Sequence, residues 1–307
     1  MADIIYKSPE RRRSNSDKII SGLNSIRYSL SEPALLFINR LLHEKEYNPS
    51  SPYYHGDEPF ITVYTPTYNR ARILLERAVA SVLAQSYKNF EFIIVGDHCT
   101  DETEELLKKV GDRRVKFYNI PVRKYRYPPT AENHWLAGPV VAANTALKMA
   151  SGKWIARTDD DDIWTPDHLE SLIQFAIKGN YEFVSARYIE ERHGKRREDT
   201  GVHALDRYYT RKEIHNYQKS PRIGGTQTWL YRSYLKFFKY NINCWRKAWN
   251  RVNDVDLSQR IFKAGVRMGF LDKVVTYVLP RPGETTVGLE AYQIQENEKL
   301  KQYQFER

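Results

Sequence analysis

Cysteine is scarce: Cys99 and Cys244 are the only two, and they stand far apart. That excludes a disulfide framework and a thiolate zinc site. The eight histidines show no HExxH spacing, so the helical zinc-protease arrangement is absent too. No apolar run approaches the ~20 residues that cross a bilayer. The opening Met1-Ala-Asp-Ile-Ile-Tyr-Lys7 lacks an apolar signal segment, so a cytoplasmic protein is expected. Neither GxGxxG nor GxxxxGK[ST] follows the first apolar strand pattern, so a nucleotide bound there would lack a glycine-rich phosphate cradle.

Of the 307 residues, 41% are hydrophobic and 28% charged, the balance of a globular chain long enough to bury a sizeable core. The net charge of +10 raises the question of a polyanionic partner. Six Lys or Arg residues fall between Arg232 and Arg251 with no acid, beside Tyr234, Phe237, Phe238, Trp245 and Trp249. Single-stranded nucleic acid, an anionic membrane or a phosphorylated acceptor would each suit that mixture, as would a solvated face around core aromatics.

Asp159-Asp-Asp-Asp162 is the most informative stretch. Lys153 to Thr158 before it reads as a strand, and Thr165-Pro166-Asp167 after it reads as a helix start with a capping hydroxyl and proline in the first turn. Carboxylates at the carboxyl end of a strand lie where open α/β sheets bind ligands. Magnesium and manganese favour hard oxygen donors, so a metal or phosphate site is expected there, the bland alternative being an acidic turn.

Residues 1–58 read as an appendage: two short amphipathic helical patterns, at Ile19 to Ile26 and Leu35 to Leu42, then the linker Asn48-Pro-Ser-Ser-Pro52. The helices are expected to pack on the main domain or a second subunit, with membrane attachment as the alternative. Strands follow at 60–65, 90–95 and 115–119, each with a helical pattern between, predicting an α/β fold with a mostly parallel sheet. Later signals are a helix at 139–150, a hairpin around His193-Gly194, a strand at 225–231, a helix from Asn253 to Gly265, and short strands at 267–271 and 274–278.

Thr65-Pro-Thr-Tyr-Asn-Arg70, Ala80 to Tyr87, Asp97-x-x-Thr100-Asp101, Asp159 to Asp162 with Trp164 and Pro166, and Asp254-x-Asp256-Leu257 occur in an order that resembles the family 2 glycosyltransferases. The resemblance covers roughly residues 60–280. It implies an inverting enzyme of the GT-A (Rossmann-like) fold, using a UDP- or GDP-sugar donor, a divalent metal (Mn2+ or Mg2+), and a glycan or lipid-linked acceptor in polysaccharide biosynthesis. Carried onto this chain, Thr65, Pro66, Tyr68 and Arg70 flank the donor nucleoside, and Asp97 contacts the base. Asp159 and Asp161 are the acids of the DxD motif, Asp161 touching the metal and Asp160 the ribose or a metal-bound water. Asp254 is the catalytic base, with Asp256 as runner-up, and Gly225 and Thr226 help to build the acceptor cleft. The donor half would be 59–186, the acceptor half 187–280 and the tail 281–307.

Three positions depart from the family pattern: Gly96 replaces a common aspartate, Ala143 a common arginine before Asn144, and Asn253 a common glutamate before the base. Arg123, Lys124 or Arg126 could supply the missing cation. A nucleotidyltransferase using the same acids, or a degenerate polyanion- or membrane-binding module, are the competing readings. Nucleic acid is not the expected partner, and an oligomer and peripheral association with the inner face of the membrane stay open.

Overall fold

The computed structural model describes residues 13–48, 50, 58–201, 222–248, 251–294 and 299–305. Helix α1 (Asn15–Leu42) opens with a capping box, Ser14 accepting from the Asp17 amide while Asp17 accepts from that of Ser14. It is one 28-residue helix that carries Pro33 within it, where the sequence suggests two short ones. Arg11, Arg12 and most of the expected linker lie outside the described residues.

The first three strands, β1 (Ile61–Thr67), β2 (Phe90–Gly96) and β3 (Val115–Asn119), pair in parallel. β1 and β2 are buried along their whole length, as interior strands of a sheet covered on both faces must be. The helical stretch at 71–83 joins β1 to β2, and its middle, Leu74–Val79, is wound as a π-helix. α2 (Thr103–Val110) joins β2 to β3 and ends at Gly111, whose φ of 67° supplies the left-handed cap.

Two helices, α3 (Ala131–Ala137) and α4 (Val140–Met149), lead to β4 (Trp154–Arg157), which lies parallel to β1 on the side away from β2. A Cβ on Gly152 would come within 2.4 Å of the Thr62 amide, so the turn into β4 passes where only glycine fits. β5 (Asp162–Trp164) and α5 (His168–Lys178) follow. The helix starts later than expected: Asp167 is its N-cap and the Thr165 hydroxyl donates to the Asp167 carboxylate.

β6 (Phe183–Arg192) and β7 (Lys195–Asp199) form the expected hairpin, with positive φ at His193 and Gly194. The 225–231 pattern is a 3-10 turn, Thr226–Thr228, and only Leu230–Arg232 (β8) is strand, antiparallel to β4. α6 (Asn253–Lys263) precedes β9 (Met268–Val278), a single strand where two are expected; register shifts after Ala186 in β6 absorb its Asp272-Lys273 interruption.

The sheet order is β3-β2-β1-β4-β8-β6-β9-β5, with β7 on β6. The β3-β2-β1-β4 block and the long β6–β9 ladder are parallel, and β8 runs antiparallel between them. Alternate residues of β1 feed two separate cores, Ile61 and Val63 on one face and Tyr64 on the other.

α1 is fastened to this body through Glu182, a buried carboxylate just before β6. Arg40 grips it with Nε 2.9 Å from Oε1, and the Tyr234 hydroxyl and the Arg267 amide donate to it at 2.8 Å. Burial alone would push the Glu182 carboxyl up; these donors outweigh it and hold it below the usual carboxylate range. Removing the guanidinium by Arg40→Ala is expected to destabilise the fold by roughly 3 kcal/mol in chemical denaturation, because a buried carboxylate loses its nearer cation and keeps only Arg267 at 3.9 Å. The wild-type advantage should shrink as pH falls through the lowered Glu182 value, the direction expected for a carboxylate that folding holds ionised.

Candidate active site

The carboxyl ends of β1, β2 and β4 and the N-terminus of α6 surround a cleft of about 250 Å³. Pro66, Tyr68, Arg70, Asp97, Asp159 to Asp162, Thr226 and Asp254 all line it, so residues spread over nearly two hundred positions of sequence meet at one opening. Two expected residues stand apart: Thr65 is fully buried within β1 and Gly225 lies just beside the lining. A Cβ on Gly225 would come within 2.5 Å of the Gln227 amide oxygen, so that glycine shapes the turn presenting Thr226.

The acidic run leaves β4 and is divided among different partners. Arg157, the last residue of β4, donates to Asp159 Oδ1 at 2.8 and 3.1 Å. Asp160 is buried and accepts from the Thr67 hydroxyl at 2.8 Å and from Arg70 Nη1 at 2.9 Å. Burial, then the nearby Asp161 charge, outweigh Arg70 and push the Asp160 carboxyl up. Asp161 Oδ2 lies 3.5 Å from Arg70 and 3.8 Å from Arg281. Asp162 is the buried first residue of β5, paired with Val278. Burial first, and then Asp161, Asp159 and Asp160, push its carboxyl far up.

The backbone of this loop has its own anchor. Arg77, in the π-wound part of the first crossover helix, donates to the carbonyls of Asp161, Leu279 and Pro280 at 2.7–2.9 Å. It ties the acidic loop to the turn after β9.

Asp97 is held by two arginines. Arg126 donates to both of its oxygens at 2.8 and 2.7 Å and Arg123 Nε to one at 3.0 Å. The cations of the 123–126 loop are therefore committed to Asp97, and Lys124 is exposed outside the cleft. Arg123 is buried with its guanidinium 3.9 Å over the Tyr68 ring, and it also donates to the carbonyls of Gln302 and Gln304. His134 lies beneath, accepting or donating with Tyr127 at 3.0 Å; burial, then Arg123, Arg70 and Arg281, push its pKa far down and keep it neutral.

Asp254 stands in the first turn of α6, where the helix dipole favours an acid. Its Oδ1 accepts from the Val255 amide at 2.7 Å. Burial pushes its carboxyl up; Arg157 opposes this and the Asp159 charge adds to it. Asp256, two residues on, turns into the protein. Burial would raise its carboxyl, but Lys247 at 2.7 Å and Arg260 at 3.0 Å outweigh that and hold it below the usual range, so it is engaged structurally and does not line the cleft.

The departures from the family pattern have local reasons. A Cβ on Gly96 would lie 2.6 Å from Asn119 Oδ1, leaving no room for an aspartate. Ala143 is buried in the core, and the Asn253 amide donates to the Leu136 carbonyl at 2.9 Å. The basic, aromatic 232–251 segment is not an open stacking surface. Tyr234, Phe238 and Trp245 are buried, Arg246 pairs with Asp17 and Arg251 with Glu132, while Trp249 lies outside the described residues.

Sequence reasoning missed Arg157, Arg281 and Tyr292. Arg70 donates to the Tyr292 hydroxyl at 2.8 Å, and Arg281 is held by Glu284 at 2.8 Å. The expected tail is thus a wall of the cleft, and Arg281 between two prolines directly after a strand was its one local signal.

Among the described residues no three His, Cys, Asp or Glu side chains converge as a metal cage. What is present still fits a small divalent cation. Asp159 and Asp161 keep 36% and 25% of their side chains exposed, at the cleft, and offer hard oxygen donors. Magnesium and manganese commonly take one or two carboxylates and complete their shell with diphosphate and water.

The profile of the family described as Glycosyl transferase family 2 matches residues 62–238. Curated relatives include the Escherichia coli UDP-Glc:alpha-D-GlcNAc-diphosphoundecaprenol beta-1,3-glucosyltransferase WfgD, 33% identical over 132 residues (43% of this chain, 47% of that protein). The putative teichuronic acid biosynthesis glycosyltransferase TuaG of Bacillus subtilis is 35% identical over 133 residues, again 43% and 47%. The matches thus span about half the length of these relatives. Among solved structures, S. aureus TarS 1-349 in complex with UDP-GlcNAc superposes with a TM-score of 0.53 at 19% identity, covering 73% of this chain and 60% of that one. The Pyrobaculum calidifontis mannosyltransferase PcManGT, in complex with GDP-Man and Mn2+, gives a TM-score of 0.53 at 16% identity over 94% and 74%. With the fold shared with these structures and the profile covering more than half the chain, this protein belongs to glycosyltransferase family 2.

Proposed function

We propose that the chain moves a sugar from a nucleoside diphosphate to a hydroxyl of a lipid-linked or phosphate-bearing glycan, in one displacement that inverts the anomeric centre. The observation that carries this reading is the meeting of two separate acid sets in one cleft, Asp159–Asp161 after β4 and Asp254 on α6. UDP- or GDP-sugar as donor is supported by the UDP-GlcNAc and GDP-Man bound to the structural neighbours. A lipid-linked acceptor is supported by the diphosphoundecaprenol substrate in the name of WfgD.

In this reading Tyr68, stacked under Arg123, and Asp97 form the nucleoside end of the cleft. Asp161 and Asp159 would hold the divalent metal and Asp160 the ribose, with Thr67 and Arg70 fixing its carboxylate. The metal, when bound, acts as a Lewis acid toward the departing diphosphate. Arg70 and Arg281 already face Asp161 and add positive charge on the same side.

The acceptor lies toward Thr226 and Asp254. As its oxygen bonds to the anomeric carbon, the proton passes to the Asp254 carboxylate and the bond to the diphosphate breaks on the opposite face. A carboxylate made more basic by burial is a better base than a free aspartate, provided the pH keeps it ionised.

Asp254→Asn is expected to leave donor binding within about twofold and to lower transfer by roughly a hundred- to ten-thousand-fold. Full transfer in that variant would remove Asp254 from the chemistry. Because the base acts as the carboxylate, kcat/KM of the wild type should fall as pH drops, through an acid limb above the ~3.9 of a free aspartate; an acid limb at or below that value would contradict the raised Asp254. Asp161→Asn is expected to abolish the manganese-dependent part of the rise in melting temperature given by a nucleotide sugar, since only ligand bound to the native state stabilises it. An unchanged manganese response would place the metal elsewhere.

A further inference from the structure

Helix α1 is turned inside out relative to an ordinary surface helix, which buries its apolar face against the core. Its buried residues are Asp17, Ser21, Glu32 and Leu36, three of them polar. They are matched by the body: Asp17 pairs with Arg246, Glu32 with Arg260, and Arg260 also lies 4.2 Å over the Tyr28 ring. The opposite face carries Ile19, Leu23, Ile26, Leu30, Phe37 and Leu41. At 100° per residue these fall on one stripe about 33 Å long.

Leu30 is 72% exposed, Phe37 65% and Ile19 61%. With the adjoining Ile38 and Leu42, the stripe presents apolar surface on the order of 1,000 Å², against the ~300–600 Å² of the largest patch on a typical monomer. Such a ridge is costly in water unless something covers it.

Charge says what covers it. Both acids of the helix face inward and are paired, whereas the exposed charged residues of α1 are Lys18 and Arg27. Two copies of α1 pairing along the stripe would leave Lys18 and Arg27 without an acid, since neither acid of the helix is exposed. A bilayer with anionic headgroups meets both the apolar ridge and the cations.

We propose that the outward face of α1 is a membrane-docking surface, lying in the plane of an anionic bilayer with Ile19, Leu23, Ile26, Leu30, Phe37 and Leu41 in the headgroup–acyl boundary and the flanking Lys18 and Arg27 on the phosphates. The surface is distinct from the cleft, so it stands or falls by binding and not by turnover.

The full chain is mixed with vesicles of phosphatidylcholine alone or with about one third phosphatidylglycerol and floated through a density gradient. The wild type is expected to float with the anionic vesicles, less at high salt, and Leu30→Glu with Phe37→Glu to lower its partition at least about tenfold at an unchanged melting temperature, both side chains being exposed. Failure of the wild type to float with anionic vesicles overturns the proposal, as does equal flotation of the double variant. A dimer by light scattering that the double variant dissociates, without flotation of the wild type, overturns it in favour of self-pairing. Nucleotide-sugar binding followed in the same samples keeps a failure of docking separate from a failure of the transferase reading.

Discussion

Four adjacent carboxylates at the end of a buried strand have to be neutralised or protonated, and most of the cleft is organised by how that is done. Two unit charges ~4 Å apart interact by roughly 4 kcal/mol at the effective dielectric near a protein surface, so an uncompensated run would rival the stability of the fold. Each member is dealt with separately. Arg157 takes Asp159, Arg70 and Thr67 take Asp160, Arg70 and Arg281 share Asp161, and Asp162 is left to burial. The three arginines come from β4, from the loop after β1 and from the turn after β9. Holding the acids apart therefore draws on elements from both ends of the sheet order, β1 and β4 on one side and β9 on the other.

The same bookkeeping separates Asp254 from Asp256. Two residues apart on a helix they point in different directions, and the body supplies two cations to one and a cleft to the other. The raised carboxylate lines the cleft and is the one the proposed proton transfer uses; the paired, lowered one ties α6 to Lys247. Arg260 then links that helix to α1 through Glu32, so the polar side of α1 is consumed by the interior and its apolar side is what remains to face outward.

Much of this was legible in the sequence, and the failures have physical causes. The strand–helix alternation through 119, the 193–194 hairpin and the helix at 253 were readable because period and turn residues are local signals, and the acids at 159–161 and 254 stood out by type and order. Arg157 and Arg281 did not. A lone arginine looks like any surface cation until the fold places it against a carboxylate far away or, for Arg157, turns it inward from a strand end. The orientation of α1 was likewise invisible: its apolar spacing reads as a helix, but which side meets the body depends on Arg246, Arg260 and Glu182, each more than 130 residues distant. The 232–251 segment misled in the opposite way, its aromatics belonging to the core and its cations largely to internal pairs.

The central claim is that a single carboxylate takes the acceptor's proton and no side chain attacks the sugar. The stereochemistry of the product tests it most directly. With an α-linked nucleotide sugar as donor, the anomeric proton coupling in the NMR spectrum of the isolated product is expected to report the β linkage. A product that retains the α configuration would require an attacking group on the protein, and would contradict the role given to Asp254.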